Sequence, residues 1–174
     1  MSDATIRPAE RGDIAAVGGI YAEAVKNGTA TFETDPPDEA EMARRLHALL
    51  KGNYPYLVGE LDGVVAGYAY AGPFHARPAY RWTVEDSIYI APPFQRRSLG
   101  RLLLTRLITD AQLRGFRQMI AVVGDSSNNA SIALHAAFGF RLIGTLQSVG
   151  FKHGRWLDTV IMQRELGRGD ATAP

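Results

Sequence analysis

Glu85 is the residue whose setting first suggests chemistry. It stands in Thr83-Val84-Glu85-Asp86-Ser87 and leads into the apolar run Ile88-Tyr89-Ile90. A carboxylate among strand-forming residues is costly to bury unless it is paired or used. Partial burial would raise its pKa into the range of a working general base. The plain alternative is an exposed strand carboxylate; either way, alternation sends Asp86 to the opposite face. After the Pro92-Pro93 break comes Gln95-Arg96-Arg97-Ser98-Leu99-Gly100-Arg101, opening the amphipathic segment LLLTRLITDAQLRG. A helix N-terminus offers unpaired N–H groups and the positive end of its dipole to an anion. Arg96, Arg97 and Arg101 add charge suited to phosphate, and Gly100 permits close backbone approach. An isolated loop of this kind is usually plain surface. Beside Glu85 it suggests an enzyme that grips a phosphorylated cofactor and deprotonates a second substrate.

The elements that must position these groups follow from periodicity and turn chemistry. Thr5–Arg7 reads as a strand. Asp13 is placed to cap a helix with Ile14, Val17, Tyr21 and Ala24 on one face, stopped by Asn27-Gly28. Asp38 and Glu41 have capping-box spacing and open a second helix, with Met42, Leu46, Leu49 and Leu50 inward and Gly52 at its end. Asp62-Gly63 between Tyr56–Leu61 and Val64–Ala71 is a hairpin signal. Trp82–Ile90 is the next strand, and the third helix sets Gly100, Leu103, Leu104, Leu107, Ile108 and Ala111 on one stripe, up to Gly115. Met119–Val123 reads as a buried strand and Asn128–Phe138 as a helix closed by Gly139. Arg141–Val149 and Trp156–Glu165 read as strands with FKHGR between them. The expectation is an α/β domain over 1–166, order βααβββαβαββ, with a mixed central sheet flanked by helices and a flexible tail over 167–174.

Composition narrows the possibilities. A chain of 174 residues, 46% hydrophobic and 21% charged, has the balance of an ordinary globular domain. The net charge of +1 offers no overall field for nucleic acid or an anionic membrane. Cysteine is absent, which removes disulfides, thiol nucleophiles and Cys-based zinc sites, and no metal is expected. No stretch is apolar enough to span a bilayer and MSDATIRPAERGD lacks a signal-peptide core, so a cytoplasmic location is expected.

Gln95-Arg96-Arg97-Ser98-Leu99-Gly100 resembles the Q/R-x-x-G-x-G/A signature of the GNAT superfamily of acyl-CoA N-acyltransferases, with Ser98 in place of the first glycine. TIRPAERGDI resembles the first strand and turn of that fold, and SSNNASIALHAAFGF its asparagine-containing helix. ARPAYRWTVEDSIYI, LHAAFGF and GFKHGRWLD resemble the phosphinothricin and methionine sulfoximine acetyltransferase group. The resemblance runs from about Thr5 to about Leu166.

That resemblance implies acetyl-CoA as co-substrate and a homodimer. It implies that backbone groups of Arg96, Arg97, Ser98, Leu99, Gly100 and Arg101 cradle the pyrophosphate. At Ser98 the side chain would either loosen that contact or donate its hydroxyl to phosphate. Ile88, Tyr89 and Ile90 would offer main-chain hydrogen bonds to the pantetheine arm, and Asn128, otherwise a helix cap, would touch it too. Glu85 would be the base, and His135 the acid for the departing thiolate, against a purely structural role. Phe32, His75, Ala76 and Arg77, with Glu85, Asp86 and Ser87, would bind the acceptor, Arg77 gripping a carboxylate or phosphinate; surface packing is the plain alternative for each. The expected acceptor is the α-amino group of a small amino acid or analogue. The rivals are acetylation of a polyamine or protein N-terminus, a non-catalytic acyl-CoA sensor, and a nucleic-acid-binding protein. Arg77 opposes a polyamine by charge, and the near-neutral charge opposes nucleic acid.

Overall fold

Two-residue turns need both central residues left-handed to match strand twist, and Asp62 and Gly63 meet that demand with φ of 53° and 78°. They join β2 (Tyr56–Leu61) to β3 (Val64–Pro73). The computed structural model describes residues 4–174; the first three residues, which the expected domain over 1–166 includes, lie outside the described residues. Ahead of this hairpin lie β1 (Ala4–Pro8), α1 (Ile14–Asn27) and α2 (Glu39–Lys51). After it come β4 (Thr83–Ile90), α3 (Leu99–Leu113), β5 (Gln118–Gly124), α4 (Asn129–Ala137), β6 (Arg141–Lys152) and β7 (Arg155–Glu165). The element order is the expected one. The strands form one mixed sheet in the spatial order β1-β2-β3-β4-β5-β7-β6. Among the described residues, only β4 and β5 run parallel.

Strand alternation divides the core between the two faces. Leu57 packs with Leu103, Leu107 and Met119 on the α3 side. Its neighbour Val58 packs with Val17, Met42 and Leu46 under α1 and α2. The start of α3 lies close on the sheet, because a Cβ at Gly59 would come within 2.8 Å of Leu99.

Several local expectations are corrected. Asp13 makes no side-chain cap on α1; its carboxylate accepts from the Glu10 N–H and from Arg7, which ties the turn back to β1. Asp38 does cap α2, through the Glu41 N–H at 2.8 Å, while the Glu41 carboxylate goes to Arg44 and Arg45. Leu50 is 46% exposed, outside the inward face of α2. The last hairpin is longer than periodicity shows: Phe151, Lys152 and Arg155 belong to its strands. His153 and Gly154 alone make its turn, with φ of 52° and 74°. After β7, the chain turns back so that the Arg117 guanidinium donates to the carbonyls of Gly169 and Ala173.

Candidate active site

The parallel pair β4 and β5 stays together only from Thr83–Gln118 to Asp86–Ala121. Beyond that, β4 follows β3 to Ile90 and β5 follows β7 to Gly124. A cleft of about 920 Å³ opens between them and reaches the N-terminus of α3. The facing edges of the two strands are left outside any ladder, and a buried backbone group without a partner is costly. A ligand carrying its own amides would satisfy them.

At the far end of the cleft the chain is left-handed twice, at Arg96 (φ 61°) and Ser98 (φ 64°). Alternation of this kind turns successive N–H groups to one side, an anion-binding geometry. Ser98 precedes α3 and its hydroxyl makes no capping bond. Glycine is favoured at such a φ because it has no Cβ to clash, so the signature's glycine has a backbone reason at this position. Gly100 has a different reason. A Cβ there would meet Leu134 at an ordinary 3.5 Å, so its open side serves the cleft rather than the packing.

Of the residues expected at the cofactor, Ile88, Tyr89, Ile90, Arg96, Ser98, Leu99, Gly100, Arg101 and Asn128 line the cleft. Leu99 does so although it is almost wholly buried in the core. Arg97 does not line it and lies 6.0 Å from the Phe94 ring. Arg101 stands 5.2 Å over Phe138. Asn128 caps α4, its side-chain oxygen accepting from Ser131 N–H at 3.2 Å.

Glu85 is half-buried on the other face of β4. Burial raises its pKa, and the charge of Asp86 adds to the rise. Beside it, the Tyr70 phenol is itself raised, by burial first and in part by the Glu85 charge, while a bond to Ser87 opposes. Ser87 thus shares the face of Glu85 and also borders the cleft. A smaller hollow of about 250 Å³ lies on this face, lined by Tyr21, Arg45, Tyr56, Tyr68 and Tyr70 among others. These tyrosines were not singled out from sequence. Tyr68 and Tyr70 are two apart on β3 and Tyr56 pairs with Tyr70 across β2, a pattern that strand alternation exposes once the hairpin is drawn.

Asp86 and His135 both lie in the wall of the cleft, with the Asp86 side chain turned to a partner inside the protein. The Asp86 carboxylate lies on the opposite face from Glu85, 2.9 Å from His135 Nε2, with both side chains nearly inaccessible. His135 Nδ1 donates to the Ser131 carbonyl at 2.7 Å. Both ring nitrogens thus have partners inside the protein, and the Ser131 hydroxyl lies 3.3 Å from Nδ1 as well. Burial opposes the imidazolium, but the bond and charge of Asp86 and the Ser131 carbonyl outweigh it and raise the pKa.

The remaining expected acceptor residues lie outside the cleft. The Phe32 ring packs on Gly150 of β6, on a loop held by Lys152 Nζ to the Thr31 carbonyl at 2.8 Å and Tyr21 to the Thr31 hydroxyl at 2.9 Å. His75, Ala76 and Arg77 are exposed on the β3–β4 connection. His75 stacks on Phe74, and Arg77 leads a 3₁₀ turn over Pro78–Tyr80. Among the described residues, no group of His, Cys, Asp or Glu could hold a metal ion.

Residues 6–161 match the family model described as an acetyltransferase (GNAT) domain. A phosphinothricin N-acetyltransferase of Alcaligenes faecalis is 52% identical over 170 residues, covering 98% of this chain and 86% of that protein. The L-methionine sulfoximine/L-methionine sulfone acetyltransferase of Salmonella typhimurium is 41% identical, covering 93% and 94%. The crystal structure of a phosphinothricin acetyltransferase from Sinorhizobium meliloti in complex with AcCoA superposes with a TM-score of 0.96 at 50% identity, covering 98% of this chain and 92% of that one.

Proposed function

The chain belongs to the GNAT acetyltransferase family, and on that premise we propose that it moves acetyl from acetyl-CoA to the α-amino group of a small amino acid or analogue, of the phosphinothricin or methionine sulfoximine type. The observation that carries this is the parting of β4 and β5 at Asp86 and Ala121. It sets unpaired strand edges and a left-handed arginine loop around one cleft, and the half-buried Glu85 supports the reading because it stands on β4 one residue before the strands part.

The residues fit the cosubstrate. The main-chain groups of Ile88 to Ile90 face the cleft and suit the amides of a pantetheine arm. The N–H groups from Arg96 to Arg101 suit a pyrophosphate. Glu85 takes the proton from the attacking ammonium, which must be neutral to act as a nucleophile. Its burial-raised pKa favours that transfer without full deprotonation of the amine by solvent. Attack is direct: the chain has no cysteine, and the Ser131 hydroxyl in the cleft wall lies 3.3 Å from a His135 Nδ1 that already donates to the Ser131 carbonyl. A strand N–H at the point of parting holds the oxyanion. Arg77, exposed near the start of β4, grips the acceptor's carboxylate or phosphinate, and Phe32 covers it.

We also propose a homodimer. Leu142, Leu146, Val149, Phe151 and Trp156 of the β6–β7 arm are each more than half exposed. Phe151 and Trp156 stand ring to ring at 5.2 Å, and exposed apolar side chains gathered on one arm mark an interaction surface; sedimentation at micromolar concentration tests it. No described helix is long and apolar enough to cross a membrane. We place the enzyme in the cytoplasm, where acetyl-CoA is available, and with no nucleic-acid partner, since its arginine cluster lies at the end of a cleft.

A thiol-release assay with acetyl-CoA across a panel of amines tests the reading. Preference for phosphinothricin, methionine sulfoximine or an ordinary amino acid is expected. Preference for spermidine or a peptide amine over every amino acid would overturn the acceptor class.

A further inference from the structure

We infer that Asp86 and His135 act as paired positioning residues for Glu85: the Asp86 carboxylate, held across β4 by the His135 imidazole, sets how readily Glu85 takes its proton. This rests on the reading of Glu85 as the base.

Glu85 and Asp86 are consecutive in β4, so the strand backbone fixes the relation of their carboxylates. They point to opposite faces, and what lies between them is packed sheet. Charges interact strongly across such a medium, where water does not screen them. Asp86 is 5% exposed and His135 2%. One oxygen of Asp86 is held by His135 at 2.9 Å, and the other, Oδ1, has no partner. The negative charge is thus compensated from one side only, and part of its field reaches Glu85.

Few other charges compete. From β3, Glu85 is met by Tyr70, whose phenol burial keeps neutral. Arg45 of α2 is paired with both Glu33 and Glu41 at 2.8 Å, so carboxylates already offset its charge. From α4 the pair is met by Ser131, and the Phe140 ring stands edge-on to His135 at 5.0 Å. Neither is charged.

The signs follow. The anion at Asp86 makes ionisation of Glu85 harder, and the imidazolium opposes that effect. Removing the anion should therefore make Glu85 more acidic, and removing the cation alone should make it less acidic. A purely structural pair would disturb packing without opposite displacements.

The test is the acid limb of kcat/KM, which reports the ionisation of the free enzyme's base, together with ¹³C NMR titration of the Glu85 side chain in the unliganded protein. Glu85→Gln comes first. Full activity with an intact acid limb in that variant would remove the base, and with it the premise, independently of the pair. With the base established, Asp86→Asn should move the Glu85 titration down by about one pH unit. His135→Gln, which keeps a neutral donor toward Asp86, should move it up by a comparable amount. Acetyl-CoA affinity and melting temperature certify each fold. If Asp86→Asn does not fold, the direction in His135→Gln decides alone. The inference is overturned if Glu85 titrates as in wild type in the folded variants, or if both move it the same way.

Discussion

Ser98→Gly gives a prediction whose size follows from one dihedral angle. Ser98 has φ 64° and ψ 1°, a conformation that costs an L-residue about 1–2 kcal/mol. Glycine removes that cost but loses about 0.5–1 kcal/mol through its freer unfolded chain. The difference leaves about 0.5 kcal/mol in favour of glycine. For a chain of this length that is a rise of about 1–2 °C in melting temperature. Ser98→Ala keeps the left-handed strain and removes only the hydroxyl, so it should melt at or slightly below wild type. Acetyl-CoA affinity, measured by calorimetry, should be unchanged or a few-fold tighter in the glycine variant and unchanged in the alanine one. A hydroxyl bonded to phosphate would be worth about 1.5–3 kcal/mol, roughly a ten- to hundredfold loss of affinity in both variants alike. That result, or a glycine variant that melts lower than wild type, would refute the assignment of Ser98 to a backbone role.

Glu85→Gln should leave acetyl-CoA affinity nearly intact and cut turnover about 10²-fold or more in single-turnover kinetics. Arg77→Ala should raise KM for phosphinothricin about 10–100-fold, and Arg77→Lys should recover only part, because a point charge cannot reproduce two parallel donors. Neutral amines should be insensitive to either change. Asp125 is held down to about 2, chiefly by the Ser127 N–H, with Arg155 and Thr29 adding to it against burial. Its folded pKa is depressed, so its contribution is complete above the ordinary aspartate range and is lost as pH falls from about 4 toward 2. Asp125→Asn should narrow the gap in melting temperature between pH 6 and pH 3; an unchanged gap would show that other carboxylates dominate acid unfolding.

The order of elements was legible because its signals are local. Asp62-Gly63 needs no partner to specify a turn, and the apolar stripe of α3 appears within fifteen residues, Leu103, Leu104 and Leu107 all fully buried. Local signals failed where a side chain chose a distant partner. Asp13 is a good helix cap by type, but Arg7 and the Glu10 N–H claimed it. The ends of β6 and β7 were hidden because Lys152, a charged residue, is buried against the Thr31 carbonyl; no periodicity predicts a lysine indoors.

The site shows the same division in sharper form. Alternation along β4 requires Glu85 and Asp86 to part, and that much is written in two adjacent letters. It says nothing of what waits on each face: Tyr70 from β3 on one, His135 from α4 on the other, the latter 49 residues away. The cleft is less legible still, because it is made by pairing that stops. Every strand but those at the two edges of the sheet has two neighbours, yet β4 beyond Asp86 and β5 beyond Ala121 each keep only one. Unpaired edges and a left-handed serine are costs that a sequence optimised for the fold alone would avoid. Their coincidence at one cleft, with a half-buried carboxylate on the same strand, is what separates a binding site from a packing defect.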